Sequence, residues 1–311
     1  MRKASCLAAL ALMAGMLLTC ADLTPPGKRY ALVYGVTTYT TLQAATGYPN
    51  LTYPDMDATS VSEMLTAEGY ESVQRRIRNA IDDEAPTKAN LAADIANIAS
   101  LLGPDDTFVF YFSGHGGAFG NDYFFAPYLG IDGASPYLTN LGLCVSQDEL
   151  AAYLETIPTA RKIVVLDTCF SGGFVENPLE VDIAPPAYVR QSYSITPAVI
   201  AQAIRNYESF SSSTGDGISP YGNAIVISAA GSGDASYEDP SIEHGVATYF
   251  LLQAPQVGDL NEDGLVTSME AFALIKAGLD AEWNPYVSTT TDPPETFLPH
   301  ISGGPLDYVI F

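Results

Sequence analysis

Two runs of consecutive apolar residues, Phe108–Phe112 and Ile163–Leu166, stand out in the hydropathy pattern of the chain. Neither alternates between apolar and polar positions, which is the pattern of strands buried on both faces of a parallel sheet. Arg29–Thr38, Ser72–Arg78 and Asn223–Ala230 read as further strands. Between them the period changes to that of helices. Asp55–Gly69 puts Val61, Met64 and Leu65 on one face and stops at Gly69. Thr87–Leu102 spaces Leu91, Ile95, Ile98 and Leu102 at helical intervals. Ser146 and Glu149 spell a capping box for a helix ending near Thr156. Gly245–Gln253 and Ser268–Leu279 read as helices, and Leu306–Phe311 closes the chain. Strands alternating with helices predict an α/β sandwich with a mainly parallel central sheet. The pattern breaks over residues 175–222, where Pro178, Pro185, Pro186, Pro197, Pro220 and a serine-rich stretch predict a flexible insertion.

The ends of the two apolar runs carry the candidate chemistry. The first stops at Ser113-Gly114-His115-Gly116-Gly117, the second at Asp167-Thr168-Cys169, followed by Ser171-Gly172-Gly173. Ligand sites of open α/β sheets lie at the carboxyl ends of the strands. His115 and Cys169 are 54 residues apart, with a loop and a helix between them, the content of a right-handed crossover between neighbouring parallel strands. On adjacent strands the imidazole would face the thiol and activate it. His115 is the expected general base and Cys169 the nucleophile, with the backbone N–H groups of Gly116 and Cys169 as oxyanion donors. A carboxylate two residues before the nucleophile, Asp167, shares its face and calls for a cation.

SGHGG followed by DTCFSGG resembles the caspase-like cysteine peptidases, and the metacaspase and bacterial caspase-homologue branch (clan CD, peptidase C14) more than the animal caspases. The animal signature has Gln-Ala-Cys where this chain has Asp167-Thr168-Cys169. The resemblance spans residues 29–311 and implies a caspase-like three-layer sandwich. It also implies that Asp167, Ser113 and an acidic residue near the first helix hold a basic side chain at P1. Asp57 matches that last position best, with Asp55 the alternative; helix N-terminal charge stabilisation explains either residue equally well. Cleavage after Arg or Lys in protein or peptide substrates follows. In the resembling family the insertion carries self-cleavage sites, and Arg190 and Arg205 are the basic residues here.

A second motif lies at Asp259–Glu270 (DLNEDGLVTSME). Asp259, Asn261 and Asp263, the Leu265 carbonyl, Thr267 and Glu270 fall in the register of an EF-hand loop, with Gly264 at the turn. Hard oxygen donors in that order suit Ca2+, in a structural or an activating role. No organic cofactor is expected.

At the start, Arg2 and Lys3 precede an apolar run from Leu7 to Leu18, too short for a spanning helix, so residues 1–19 read as a signal peptide. Leu17-Leu18-Thr19-Cys20 resembles a lipoprotein box, although Thr19 departs from the small residue usual there. Both lipidation of Cys20 and simple cleavage stay open, and only a lipid would bring a membrane into play. The expected location is the bacterial periplasm, the cell surface or the medium. Of four cysteines, Cys144 and Cys169 lie beyond the leader, without the spacing of a disulfide framework. The formal charge of −23 excludes nucleic-acid binding through phosphates and favours basic peptides. Two other functions compete with an exported endopeptidase: a non-catalytic caspase-fold protein, and a calcium-dependent binding or adhesion protein.

Overall fold

The fold is taken from a computed structural model, which describes residues 27–39, 50–77, 85–119, 122–128, 141–169, 171–174, 194–211, 221–231, 235–286, 297–304 and 307–311. The segment expected to be a signal peptide (residues 1–19), Cys20 and Arg190 lie outside these residues. In chain order the strands are β1 (Arg29–Gly35), β2 (Ser72–Ile77), β3 (Thr107–Ser113), β4 (Gly116–Phe119), β5 (Asp122–Phe125), β6 (Val145–Ser146), β7 (Arg161–Asp167), β8 (Ile225–Ser228), β9 (Glu238–Asp239), β10 (His244–Gly245) and β11 (His300–Gly303). The helices are α1 (Pro54–Ala67), α2 (Lys88–Ala99), α3 (Gln147–Glu155), α4 (Pro197–Ser211), α5 (Val246–Leu251), α6 (Ala254–Val257) and α7 (Ser268–Gly278).

Six strands form the central sheet in the order β11-β8-β7-β3-β1-β2. All pair in parallel except β11, which runs antiparallel on the edge beside β8. Continuous burial along β3 and β7 reflects two different cores, because alternate residues point to opposite faces. Phe108, Phe110 and Phe112 join Leu32, Tyr34, Val164 and Leu166 under α2, α3 and the small sheet β4-β5-β6. Val109 and Tyr111 join Ala31, Val33, Ile163 and Val165 under α1, α4, α5 and α7. The result is a three-layer α/β sandwich. Burying one such side chain contributes roughly 1.5–3 kcal/mol. A one-residue slip of β3 would exchange both faces, so its register is strongly specified.

Several expectations need correction. The segment between β3 and β7 holds more than a loop and a helix: β4 turns back from the His115 motif and pairs with β5, which pairs with β6 before α3 begins. The four-residue and two-residue strands there are too short to show periodicity. The insertion contains helix α4, whose buried Val199 and Ala203 pack in the same core as α7. Pro197 opens that helix, a position that needs no backbone N–H. Arg205 is on it, bonded to Gln202, so cleavage there would first require the helix to unwind. The strand beside β8 at the sheet edge is β11, His300–Gly303, whereas the tail is tied by a bridge between Thr267 and Val309 and by backbone bonds to Val266 and Ser268. Pro255 sits in the first turn of the short α6, a position that needs no backbone N–H. Cys144 and Cys169 are both free thiols.

Candidate active site

Strands β3 and β7 are direct neighbours, and their last residues, Ser113 and Asp167, are register partners. Gly114 N extends the ladder by one bond to the Asp167 carbonyl, 3.2 Å away. His115 and Cys169 each follow by two residues, and both line one cleft with Leu51, Pro54, Asp57, Ser113, Asp167, Ser236, Tyr237, Glu238 and Gly245. The cleft encloses about 360 Å³, its solvent-facing mouth included.

The backbone of His115 is held on both sides. Its N–H donates to Tyr39 Oη at 2.8 Å, its carbonyl accepts from Ala126 N at 2.8 Å, and Tyr39 Oη donates to the Ala126 carbonyl at 2.9 Å. The Tyr39 ring lies 4.6 Å from the imidazole, centre to centre. Cys169 Sγ is 3.6 Å from the Ser236 carbonyl. After it the chain tightens into a buried 3-10 turn, Ser171–Phe174, whose Ser171 Oγ accepts from Ala230 N at 3.2 Å. Gly116 touches the cysteine turn directly: a methyl group there would sit 1.9 Å from Thr168 Oγ1 and 2.3 Å from the Cys169 carbonyl oxygen. Only glycine lets the two turns approach so closely.

Two carboxylates line the same cleft as His115 and Cys169. Asp57 stands in the first turn of α1, and Ser113 Oγ donates to its Oδ2 at 2.9 Å. Its Oδ1 lies 2.8 Å from His244 Nδ1 and accepts from Gly245 N at 3.1 Å. Asp167 accepts from Ser236 Oγ, from Thr248 Oγ1 and, at 3.1 Å, from Thr248 N. A methyl group at Gly245 would sit 2.4 Å from Asp167 Oδ2 and 3.2 Å from Asp57 Oδ2, so the two acids flank one glycine. Burial pushes the Asp57 carboxyl up to about 6; the His244 bond opposes the rise and the charge of Asp167 adds to it. Burial raises Asp167 too, against its bonds from Ser236 and Thr248. Two desolvated carboxylates facing one cleft make a receptor for a cation.

Thus His115, Cys169, Gly116, Ser113, Asp57 and Asp167 come together at one sheet edge. Asp55 does not line the cleft and accepts instead from Thr37 Oγ1 at 3.0 Å. Sequence reasoning missed Tyr39, Ser236, His244 and Thr248. Ser236 and His244 belong to the β9–β10 hairpin and its approach, and strands of two residues leave no pattern to read. The one available signal was that His244 is among only three histidines. The same hairpin clamps α1, because Glu238 accepts from Thr52 N and Tyr53 N at 2.8 Å. That supplies the cap that Tyr53 lacks.

The Asp259–Glu270 loop lies apart from the cleft. Asp259 accepts from Asp263 N and Gly264 N, Asn261 from Asp263 N, and Asp263 from Leu265 N. Gly264 turns the loop at φ +88°. Thr267 and Glu270 form a capping box for α7. Glu270 is fully buried and accepts from Leu260 N, Asn261 N, Thr267 N and Thr267 Oγ1. Those donors fill the roughly four lone-pair positions of a carboxylate, so Glu270 closes the loop as folded. Among the described residues no group of three or more His, Cys, Asp and Glu side chains is drawn together closely enough to hold a metal ion. The exposed residues of the loop are Asn261–Gly264.

The model of the caspase domain (Peptidase_C14) matches residues 28–271. No curated protein matches the chain. Among solved structures, the crystal structure of protein GSU0716 from Geobacter sulfurreducens is similar in fold. It has a TM-score of 0.50 and 17% identity over 90% of this chain and 97% of that one. The family match covers the whole cleft, from α1 through both glycine-flanked motifs to the β9–β10 hairpin, and on it the chain belongs to the caspase-domain family of cysteine peptidases.

Proposed function

We infer that the protein is an exported cysteine endopeptidase that cleaves after Arg or Lys. The observation that carries this reading is the convergence of His115, Cys169, Asp57, Ser113 and Asp167 on one cleft at the ends of β3 and β7. His115 takes the thiol proton of Cys169, and the thiolate sulfur attacks the scissile carbonyl carbon. The oxyanion that forms is met by the N–H groups of Gly116 and Cys169. As the C–N bond breaks, the imidazolium returns its proton to the leaving amine. Water, deprotonated by His115, then cleaves the thioester and frees the thiol.

Substrate selection follows from charge. An arginine or lysine side chain entering beside Cys169 and His115 would bring a cation to the Asp57 and Asp167 carboxylates, of which Asp57 also faces His244. Ser113 holds Asp57 in place through its hydroxyl. An acidic P1 residue would add a third negative charge to the same buried corner. The excess of acidic residues over the whole chain also draws basic peptides toward it. Export rests on the leader sequence, with lipidation of Cys20 as one of its two outcomes.

Calcium is the proposed cofactor, held by Asp259, Asn261, Asp263 and the Leu265 carbonyl near the water-bridging Thr267, in a structural role. Glu270 would add a ligand only by giving up part of its present bonding.

The test is a peptide library varied at P1, run on wild type and Cys169→Ala with and without chelator. Turnover confined to Arg and Lys, lost in Cys169→Ala, supports the reading. A preference for Asp at P1, or turnover that survives Cys169→Ala, overturns it.

A further inference from the structure

We propose that His244 is the positioning residue of the P1 pocket: it fixes the Asp57 carboxylate and keeps it in the charged form that receives a basic side chain. The proposal rests on the reading of Asp57, Ser113 and Asp167 as a cation receptor.

Three donors converge on Asp57. Ser113 Oγ reaches Oδ2, on the side where the Gly245 contact places Asp167; His244 Nδ1 lies 2.8 Å from Oδ1, and Gly245 N is shared between Oδ1 at 3.1 Å and Oδ2 at 3.3 Å. Ser113 and Gly245 are neutral donors. His244 alone of the three can carry a positive charge, and charge-assisted bonds to a carboxylate are about twice as strong as neutral ones. That difference matters because Asp57 is 1% exposed and faces a second carboxylate. Both conditions drive a carboxyl toward its neutral form. A neutral carboxyl would offer a P1 guanidinium hydrogen bonding and no charge.

The surroundings keep the imidazole where it is needed. Charged groups facing it are acidic on each neighbouring element: Asp57 on α1, Asp167 at the end of β7, and Asp239, its register partner on β9. Glu243 precedes it in the turn at φ 56°, and Glu238 anchors the hairpin to the start of α1. The ring is therefore set against α1 by two contacts from the same hairpin. Its side chain keeps 15% exposure while that of Asp57 keeps 1%, so protons reach the pair from the His244 side.

The test uses two peptides identical but for P1, arginine in one and citrulline in the other, which has nearly the same shape without the charge. Steady-state kinetics are measured on the full-length wild type, His244→Ala and His244→Gln from mildly acidic to mildly alkaline pH. His244→Ala is expected to lower the arginine-to-citrulline ratio of kcat/KM several-fold at mildly acidic pH, where Asp57 deprived of the imidazole takes up its proton first, and by about twofold or less near neutral pH for a shift of one pKa unit on Asp57. The loss appears in KM for arginine, and the preference returns as the pH rises. His244→Gln, which keeps a donor without a charge, falls between the two. An unchanged ratio and pH course in His244→Ala overturns the proposal, as does an equal fall in kcat for both peptides, which would mean hairpin packing alone. Should His244→Ala fail to fold, His244→Gln decides by whether its arginine preference sets in at higher pH than in wild type. A wild type that never prefers arginine over citrulline removes the basic-pocket reading itself, a distinct result.

Discussion

Ser113 and Asp167 sit opposite each other as the last paired residues of β3 and β7. This pairing aligns everything that follows on the two strands. Two residues further on, the chains deliver an imidazole and a thiol to one cleft, while the paired residues themselves line its side. The positions of the proposed nucleophile, base and specificity wall are thus set by one register.

Replacing either member of the dyad should abolish turnover without unfolding the protein. Cys169→Ala and His115→Ala are each expected to lower kcat/KM on peptide substrates by roughly 10³-fold or more. The thermal midpoint of Cys169→Ala should stay within a few degrees of wild type, since a small side chain is lost at the cleft wall. Peptidase assay and melting curve check both parts.

On the proposed reading, Asp57 should make arginine cleavage acid-sensitive. Its carboxyl is raised to about 6 in the fold, against an unfolded value near 3.9. The folded protein therefore takes up a proton as the pH falls through 6, and the arginine preference should decline over that window. The same shift has a stability sign. A raised carboxyl makes the folded state bind more protons than the unfolded one, so its contribution to stability falls as pH rises from about 4 to about 6. Asp57→Asn should accordingly gain stability relative to wild type at neutral pH and lose that advantage in acid, while arginine kcat/KM drops roughly 10- to 100-fold. Denaturant titrations at two pH values measure the first effect.

Tyr39 is expected to position His115 from behind. Tyr39→Phe removes the oxygen that accepts from His115 N and donates to the Ala126 carbonyl. Leaving two buried groups unpaired costs about 1–3 kcal/mol each before any relaxation. The expected result is a lower melting temperature together with a fall in kcat that KM does not share. Equal loss in both constants would assign Tyr39 to packing only.

Mutation should separate two roles of the Asp259–Glu270 loop. Added Ca2+ should raise the melting temperature of wild type by a few degrees through linkage. Asp259→Ala and Asp263→Ala should abolish that response. Glu270→Ala should destabilise the protein by roughly 2–4 kcal/mol with or without calcium, because it strips four internal donors of their acceptor. Scanning calorimetry with calcium and with chelator distinguishes these outcomes.

Much of the sheet edge was legible because its strands are unbroken apolar runs ending in glycine-flanked polar residues. Phe108–Phe112 and Ile163–Leu166 announce burial on both faces, and Asp57 could be placed at the start of a helix. What periodicity cannot carry is a wall made of short pieces. His244 and Ser236 reach Asp57 and Asp167 from a hairpin of two-residue strands, and no local pattern marks them. The choice between Asp55 and Asp57 needed the turn of α1 in space, which sends one to Thr37 and the other to the cleft. Helix α4 was hidden by the prolines around it, although Pro197 is its own first residue.

The clamp of the β9–β10 hairpin on α1 also bears on timing. Asp57 and Gly245 are 188 positions apart in the chain. A ribosome releases the sulfur and the imidazole long before it reaches the residues that complete the corner for a basic side chain. A nascent polypeptide halted in that interval would possess reactive groups and no means of choosing where to cut. On the proposed reading, selectivity is completed only after both motifs have been made.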